Sequence, residues 1–444
     1  MLRYLTKGWD IMHDMAGRLV SYLDKVRRAV GNTPRMKSLS TYCAGLLSSE
    51  KRKTVESIAA AASAKPMECD ALYQRVLHTV GQAAWDDAKV RYVAETYVID
   101  AMTAREQISQ WIIDDTGLIK QGSHSVGVKR QYTGTAGKVT NCQVTTSLVV
   151  STASTQAPVD LRIYLPKEWT DSLQRRAEAK IPDHVVFQTK PELALDLVVS
   201  ALNRGTPRGR VCADSAYGDS SAFRAGLRER NLDMAVGIKA ATSAWSVDGN
   251  GRRRGPKTSV EAIARRLEYR RITWRHGTKG AMTSSFGARR IVTCREYVDH
   301  GLVEPVWLLV ERPERKGSDA KYALLTDGPN VQVANLAHQW KERYRTERAY
   351  QDAKQNVGFD DYQGRSFLGW HHHATAVVVC CAFLVAEQCR LYSPRPKGPR
   401  QAIRTTERLQ RHYPDSFPTM QVIASRIVDD WAKNTFGDDA VPAN

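Results

Sequence analysis

Three acidic residues of this 444-residue chain sit where carboxylates could act together on a cation. Asp115 follows the apolar run Trp111-Ile112-Ile113 and Asp114, Asp214 follows Val211-Cys212-Ala213, and Glu347 lies within Trp340 to Arg365 (WKERYRTERAYQDAKQNVGFDDYQGR). Two carboxylates from strand ends and a third from a helix packed on the same sheet would bind one or two hard divalent cations through oxygen. Such ions activate an attacking hydroxyl and stabilise the leaving oxygen of a phosphodiester. Each acid also has a plain structural reading. Strand-end acids commonly line solvated rims, and Glu347 between Arg343 and Lys354 suits ion pairs along a solvated helix. Asp114 rivals Asp115, because strand alternation keeps adjacent residues from facing one ion.

The balance of charge names a partner for such a site. The formal net charge is +18 and the pI about 9.6, which favours a polyanion, double-stranded DNA before an anionic membrane surface. Lys129-Arg130 and Arg252-Arg253-Arg254 read as contacts to backbone phosphates, setting affinity rather than sequence preference. The 42% hydrophobic content is that of a globular chain with two or three domains. No signal peptide is evident at the N-terminus, and the most apolar stretch, Ala374 to Ala386, is shorter than the ~20 residues of a spanning helix. Eight scattered cysteines without a C-x2-C pair exclude a zinc or disulfide framework and suit a reducing cytoplasm. His371-His372-His373 cannot ligate one ion together, since consecutive helical residues point in different directions.

The elements that must position the acids follow in order. Residues 1–95 read as a helical N-terminal domain, with DNA binding as one use of its basic patch Lys51-Arg52-Lys53. From residue 96, apolar runs at Tyr97 to Ile99, Gln110 to Asp115, Asn141 to Thr152 and Leu161 to Leu165 predict strands. A helix over Lys190 to Asn203, a strand at Val211 to Ala213, a helix over Ser220 to Arg230 and a strand at Met234 to Ile238 complete a mixed α/β sheet over 96–239. Residues 240–330 read as a β-rich insertion that opens on a basic loop at Gly249 to Lys257. The second part of the core, 331–392, holds the helix with Glu347, and 393–444 is a basic linker followed by a C-terminal helix.

These motifs, in this order, resemble a DDE transposase of a bacterial insertion sequence with a ribonuclease H-like core. The group it is similar to cuts and pastes DNA and shares a Y-x2-R-x3-E-x6-K signature, here Trp340, Arg343, Glu347 and Lys354 with tryptophan for tyrosine. Its first acid is an aspartate followed by threonine, here Asp115-Thr116, which favours Asp115 over Asp114. Its second resembles Val211 to Gly218 (VCADSAYG), and Lys120 to Tyr132 and Gly364 to Ala374 also look like that group. The resemblance implies an α/β, ribonuclease H-like mixed sheet with flanking helices, interrupted by the insertion and preceded by the helical domain. It implies Asp115, Asp214 and Glu347 as catalytic ligands of magnesium, with manganese as an alternative, and Arg343 and Lys354 as phosphate contacts. Tyr322 would stack on an extruded base, with Trp245, Trp274 and Trp307 as alternatives. The protein would bind its element's inverted-repeat ends, cleave them and join the 3′ ends to target DNA as a homodimer on the nucleoid. A transposase-derived DNA-binding protein that no longer cuts is the alternative.

Overall fold

The structure is a computed structural model and describes residues 15–391, apart from Ser49, Ala64, 278–279, 302–303 and 315–316. The linker and helix expected over 393–444 lie outside the described residues. Helices come first: α1 (Met15–Val30), α2 (Thr33–Leu47), α3 (Val55–Ala61), α4 (Pro66–Gly81) and α5 (Asp87–Thr103). Asn32 and Asp86 cap α2 and α5, and Thr54 with Ser57 closes a capping box on α3, satisfying amides no helical carbonyl reaches. Helix α5 replaces the strand expected at Tyr97 to Ile99 and runs across the boundary expected at 95. Val90, Ala94, Val98 and Met102 recur every four residues and are all buried, so the helical period decides the element.

The sheet opens with β1 (Gln110–Ile119), β2 (Lys129–Thr133), β3 (Lys138–Ser151) and β4 (Gln156–Tyr164). β3 pairs antiparallel with β1 on one edge and with β2 and β4 on the other. Short helices α6 (Lys167–Thr170) and α7 (Leu173–Ala179) lead to α8 (Lys190–Asn203), which begins in a Thr189–Glu192 capping box. That helix carries the chain over so that β5 (Arg210–Ala213) lies parallel to β1. Helices α9 (Ser215–Gly218) and α10 (Ser221–Glu229) return it to β6 (Met234–Ile238), parallel to β5. A mixed sheet with flanking helices results, as a ribonuclease H-like core requires.

Residues 243–325 extend this sheet. They form β7 (Ser243–Val247), β8 (Arg253–Ser259), α11 (Val260–Ala264), β9 (Arg270–Gly277), β10 (Gly280–Thr293), α12 (Cys294–His300), β11 (Val306–Pro313) and β12 (Lys321–Leu325). β12 pairs antiparallel with β6, and the order continues β12-β11-β10-β7-β8. Part of the expected basic loop is therefore strand β8, at the sheet's edge, where Pro256 need not donate to a ladder.

Helices α13 (Val333–Lys341), α14 (Tyr344–Val357) and α15 (Phe367–Leu391) complete the described chain. The single helix expected from Trp340 is broken at Glu342 and Arg343, where Arg345 and Thr346 donate to carbonyls three residues back, a tightened turn. α14 ends at Gly358, whose φ of 68° suits a left-handed cap. Helix α15 is longer than its apolar sequence run suggested. It is long and apolar enough to cross a membrane, yet 94% of its apolar window is buried inside the fold, which marks a core helix.

Two apolar layers cover the sheet. On one face Trp111, Ile113, Val211, Ala213 and Leu324 share a core with α1, α2, α5, α8 and α15. On the other, Ile112, Cys212, Ala235 and Ala323 pack beneath Leu336, Ala337 and Trp340 of α13 and Ala349 of α14. The expected basic patch loses Lys53 to the interior. Its Nζ donates to the Leu46 and Asn356 carbonyls and its backbone N–H to Asp361, which ties α2 to the end of α14.

The three histidines of α15 are core residues. His373 Nε2 lies 3.1 Å from the Phe359 carbonyl and its Nδ1 2.8 Å from the Tyr42 hydroxyl. His372 stacks on Trp85 with ring centroids 3.7 Å apart. Burial pushes His371 and His373 down to about 3 from an ordinary 6.5 and also lowers His372. A depressed folded-state pKa contributes stability that is full above 6.5 and lost as pH falls toward 3. The unfolding free energy should therefore drop steadily between pH 6.5 and pH 4, at about 1 kcal/mol per histidine per pH unit, and the melting temperature with it. Thermal melts of His373→Gln against the parent chain should show a shallower pH slope, and an unchanged slope would count against this account.

Candidate functional site

Strand β1 presents its two aspartates to opposite faces. Asp114 continues the Ile112 side, beneath α13 and α14, whereas Asp115 continues the side of Trp111 and Ile113. Asp115 Oδ2 accepts from Lys190 Nζ of α8 at 2.8 Å and from the Tyr217 hydroxyl at 3.3 Å. It therefore points away from the helix that carries Glu347. Asp115, expected as the first acid, thus lies on the face away from that helix, and the aspartate facing it is its rival, Asp114.

Asp214 lies two residues beyond Cys212, at the end of β5, and shares the Asp114 side. Its Oδ1 accepts from the Ala216 N–H at 2.8 Å, which fixes the carboxylate at the strand's exit. Close backbone approach holds this turn. A Cβ on Gly237 would fall 2.7 Å from the Ser215 nitrogen, and one on Gly218 only 2.2 Å from the Gly237 carbonyl oxygen. Glycine at both positions lets β6 pass directly under the Asp214 turn.

Helix α14 is pinned across β1 at three points. Arg343 Nη1, just before it, donates to Asp114 Oδ2 at 3.2 Å. The Tyr350 hydroxyl is 2.5 Å from Ser147 Oγ, the residue opposite Asp114 in the β1–β3 register. Lys354 Nζ donates to the Gly117 carbonyl at 3.0 Å and to Thr135 Oγ1 at 3.2 Å. Glu347 is one turn from Arg343 and one from Tyr350. It is exposed and has no ion pair among the described residues. Trp340, where the signature has tyrosine, is buried in the layer beneath α13.

The electrostatics are those of a cation-seeking pair. Burial raises the Asp114 carboxyl to about 7; Arg343 opposes the rise, while the charges of Asp214 and Asp115 add to it. Among the described residues no three His, Cys, Asp or Glu side chains are gathered closely enough to hold a metal ion. The donor chemistry nevertheless suits a hard cation. Asp114 and Asp214 offer carboxylate oxygens on one face, and Arg343 already supplies a positive charge there.

Other residues singled out in the sequence are scattered. Tyr322 sits in the central strand β12 and packs on the core of the opposite face, whereas Trp274 and Trp307 pack on the side of Asp114. The Lys129 ammonium is 2.7 Å from Glu168, and Arg130 is exposed. Arg253 lies over the Trp245 and Tyr297 rings, Arg254 pairs with Asp248, and Arg252 is exposed. These arginines are on or beside β8, seven strands from β1, roughly 34 Å at about 4.8 Å per strand. They lie too far away to reach Asp114 or Asp214. Three neighbours escaped sequence reading. Lys190 anchors Asp115, Arg275 lies 4.1 Å over the Tyr344 ring, and Lys341 lies 4.3 Å over Trp274. The alternation of basic and aromatic residues in Trp274-Arg275 was the only local signal for any of them.

Residues 25–281 match a protein family described as DDE superfamily endonuclease. This span contains Asp114, Asp115 and Asp214 and stops short of Glu347. Over 197 residues, 44% of its length, the chain is 31% identical to the "Probable transposase for insertion sequence element IS701" of Microchaete diplosiphon. It spans about half (47%) of the length of that curated relative.

A pH-dependent consequence follows from Asp114. A folded-state pKa raised from 3.8 to about 7 contributes stability at low pH that is lost as pH rises through 7. In buffer free of divalent cations, Asp114→Asn should melt higher than the parent at pH 8, with the gap closing toward pH 4. Denaturation followed by circular dichroism at both pH values checks this, and a parent that is the more stable at pH 8 would refute it.

Proposed function

The chain belongs to the DDE superfamily of endonucleases, and we propose that it is the transposase of a bacterial insertion sequence. It binds the inverted-repeat ends of its element, cleaves them by phosphodiester hydrolysis and joins the 3′ ends to target DNA by cut and paste. The observation that carries this reading is the placement of Asp114 and Asp214 on one sheet face, beneath α14, which is clamped across β1 and carries Glu347. The match of residues 25–281 and the insertion-sequence relative support it. Asp114, Asp214 and Glu347 would hold magnesium or manganese, which supplies the charge that activates a hydroxyl and stabilises a leaving oxygen.

The chain's own residues do the rest. Arg343 offers its planar fork to a phosphate near the scissile bond. Lys354 holds α14 on β1 through the Gly117 carbonyl and keeps one donor free for DNA. Asp115, locked by Lys190 and Tyr217 on the far side, is a positioning residue that sets the twist of β1 where Asp114 emerges. Lys129, Arg130, Arg252, Arg253 and Arg254 meet backbone phosphates away from the cut, and on the site's own face Trp274 and Trp307 are better placed than Tyr322 to meet a base. Two ends must be held together, so a homodimer on DNA in the bacterial cytoplasm is the working form.

A labelled duplex carrying the element's end, magnesium and a target plasmid tests this. The parent should yield cut ends and joined product. Asp114→Asn, Asp214→Asn and Glu347→Gln should each lower cleavage by roughly 100-fold or more. Asp115→Asn should cost roughly tenfold, the lower end of what outer-shell changes cost. Full cutting by Asp114→Asn would overturn the assignment. Parent binding without cleavage would point to a domesticated DNA-binding protein, and cutting without joining to a nuclease.

A further inference from the structure

Arg343 occupies an unusual position. It belongs to the turn between α13 and α14, its guanidinium is half-buried, and Asp114 is its one ion-pair partner among the described residues, at 3.2 Å. The other cations near the site have different attachments. Lys354 is bonded to a carbonyl and a hydroxyl, Lys341 to Glu311, and Lys190 to Asp115 on the opposite face. Of these four, Arg343 is the one paired with Asp114, on the face where Asp114 and Asp214 meet. Its guanidinium donates to Asp114 Oδ2, one of the two oxygens that carboxylate could offer a cation.

We propose that Arg343 is a resident counter-ion that holds the cation's place at Asp114 and Asp214 until DNA phosphate draws it away, coupling metal loading to DNA binding. The proposal rests on the reading of Asp114 and Asp214 as metal-holding acids. A largely buried carboxylate such as Asp114 needs positive charge whether or not metal is bound, because an unpaired buried charge is costly. A guanidinium serves in the free protein but competes with a metal ion for the same oxygen. Phosphate is its other matched partner, since the planar fork accommodates both anions. When Arg343 turns to phosphate, Asp114 is released, and the mobile element is one side chain leaving a helix–helix turn. By linkage, DNA then tightens metal binding and metal tightens DNA binding by the same factor.

The test uses the full chain, Mn2+ and a mixed-sequence duplex. Free Mn2+ is followed by electron paramagnetic resonance, so no cleavage is needed for the readout. Without DNA, Arg343→Gln should bind Mn2+ about tenfold more tightly than the parent, a coupling of ordinary size. The duplex should then tighten Mn2+ binding in the parent more than in Arg343→Gln, by that same factor. Arg343→Lys, which retains the charge, should stay near the parent and serves if the glutamine variant folds poorly. Equal or weaker Mn2+ binding by Arg343→Gln without DNA would overturn the proposal, as would a lysine variant that binds like the glutamine one. Asp114→Asn separates the two levels: if it binds Mn2+ as the parent does, the assignment of the acids has failed. If it loses Mn2+ while Arg343→Gln matches the parent, only the coupling has failed.

Discussion

Strand β1 carries Asp114 and Asp115 side by side, and the pleat turns their carboxylates to opposite faces of a sheet covered on both sides. Each face answers the charge it receives. On the α8 side, Lys190 and Tyr217 satisfy Asp115. On the other side, Arg343, Tyr350 and Lys354 clamp α14 to the strand and its neighbour β3. The acid pair is held by the geometry of one strand end, the helix above it, and the Gly218–Gly237 approach that lets Asp214 come near. Loosening any of these would misplace a carboxylate, and catalytic geometry tolerates little misplacement.

Long-range charge and local charge have separate roles. The basic residues on and beside β8 lie at the far end of the continuous sheet from β1. They can hold a duplex along its backbone without approaching the acids. The cations around α14 are few and individually engaged, with an acid, a carbonyl or an aromatic face. A net charge of +18 therefore describes the whole surface, while the site itself is set by the balance of two aspartates against one arginine.

Much of the fold was legible in sequence because the signals were local. Apolar runs marked β3, β5, β6, β11 and β12 to within a few residues, and amphipathic spacing marked α8. Other elements were obscured for physical reasons. In α5 a short run of Tyr97, Val98 and Ile99 imitates a strand until its four-residue spacing with Val90 and Ala94 is counted. β8 is so basic that composition reads it as loop, and only its pairing with β7 makes it a strand. The His371 to His373 run looks like a ligand cluster in one dimension and is dispersed through the core in three.

The sequence by itself determined which acids could matter and in what order. Asp214 and Glu347 follow from residue type and motif, and Asp114 and Asp115 are its two candidates for the first position. Only the tertiary structure tells those two apart, by which face of β1 receives α14. That pairing is made by contacts between residues more than two hundred positions apart, Arg343 with Asp114 and Lys354 with Gly117. No local period or propensity encodes it. A two-residue alternation says that the aspartates diverge, and the packing of a distant helix says which of them faces the chemistry.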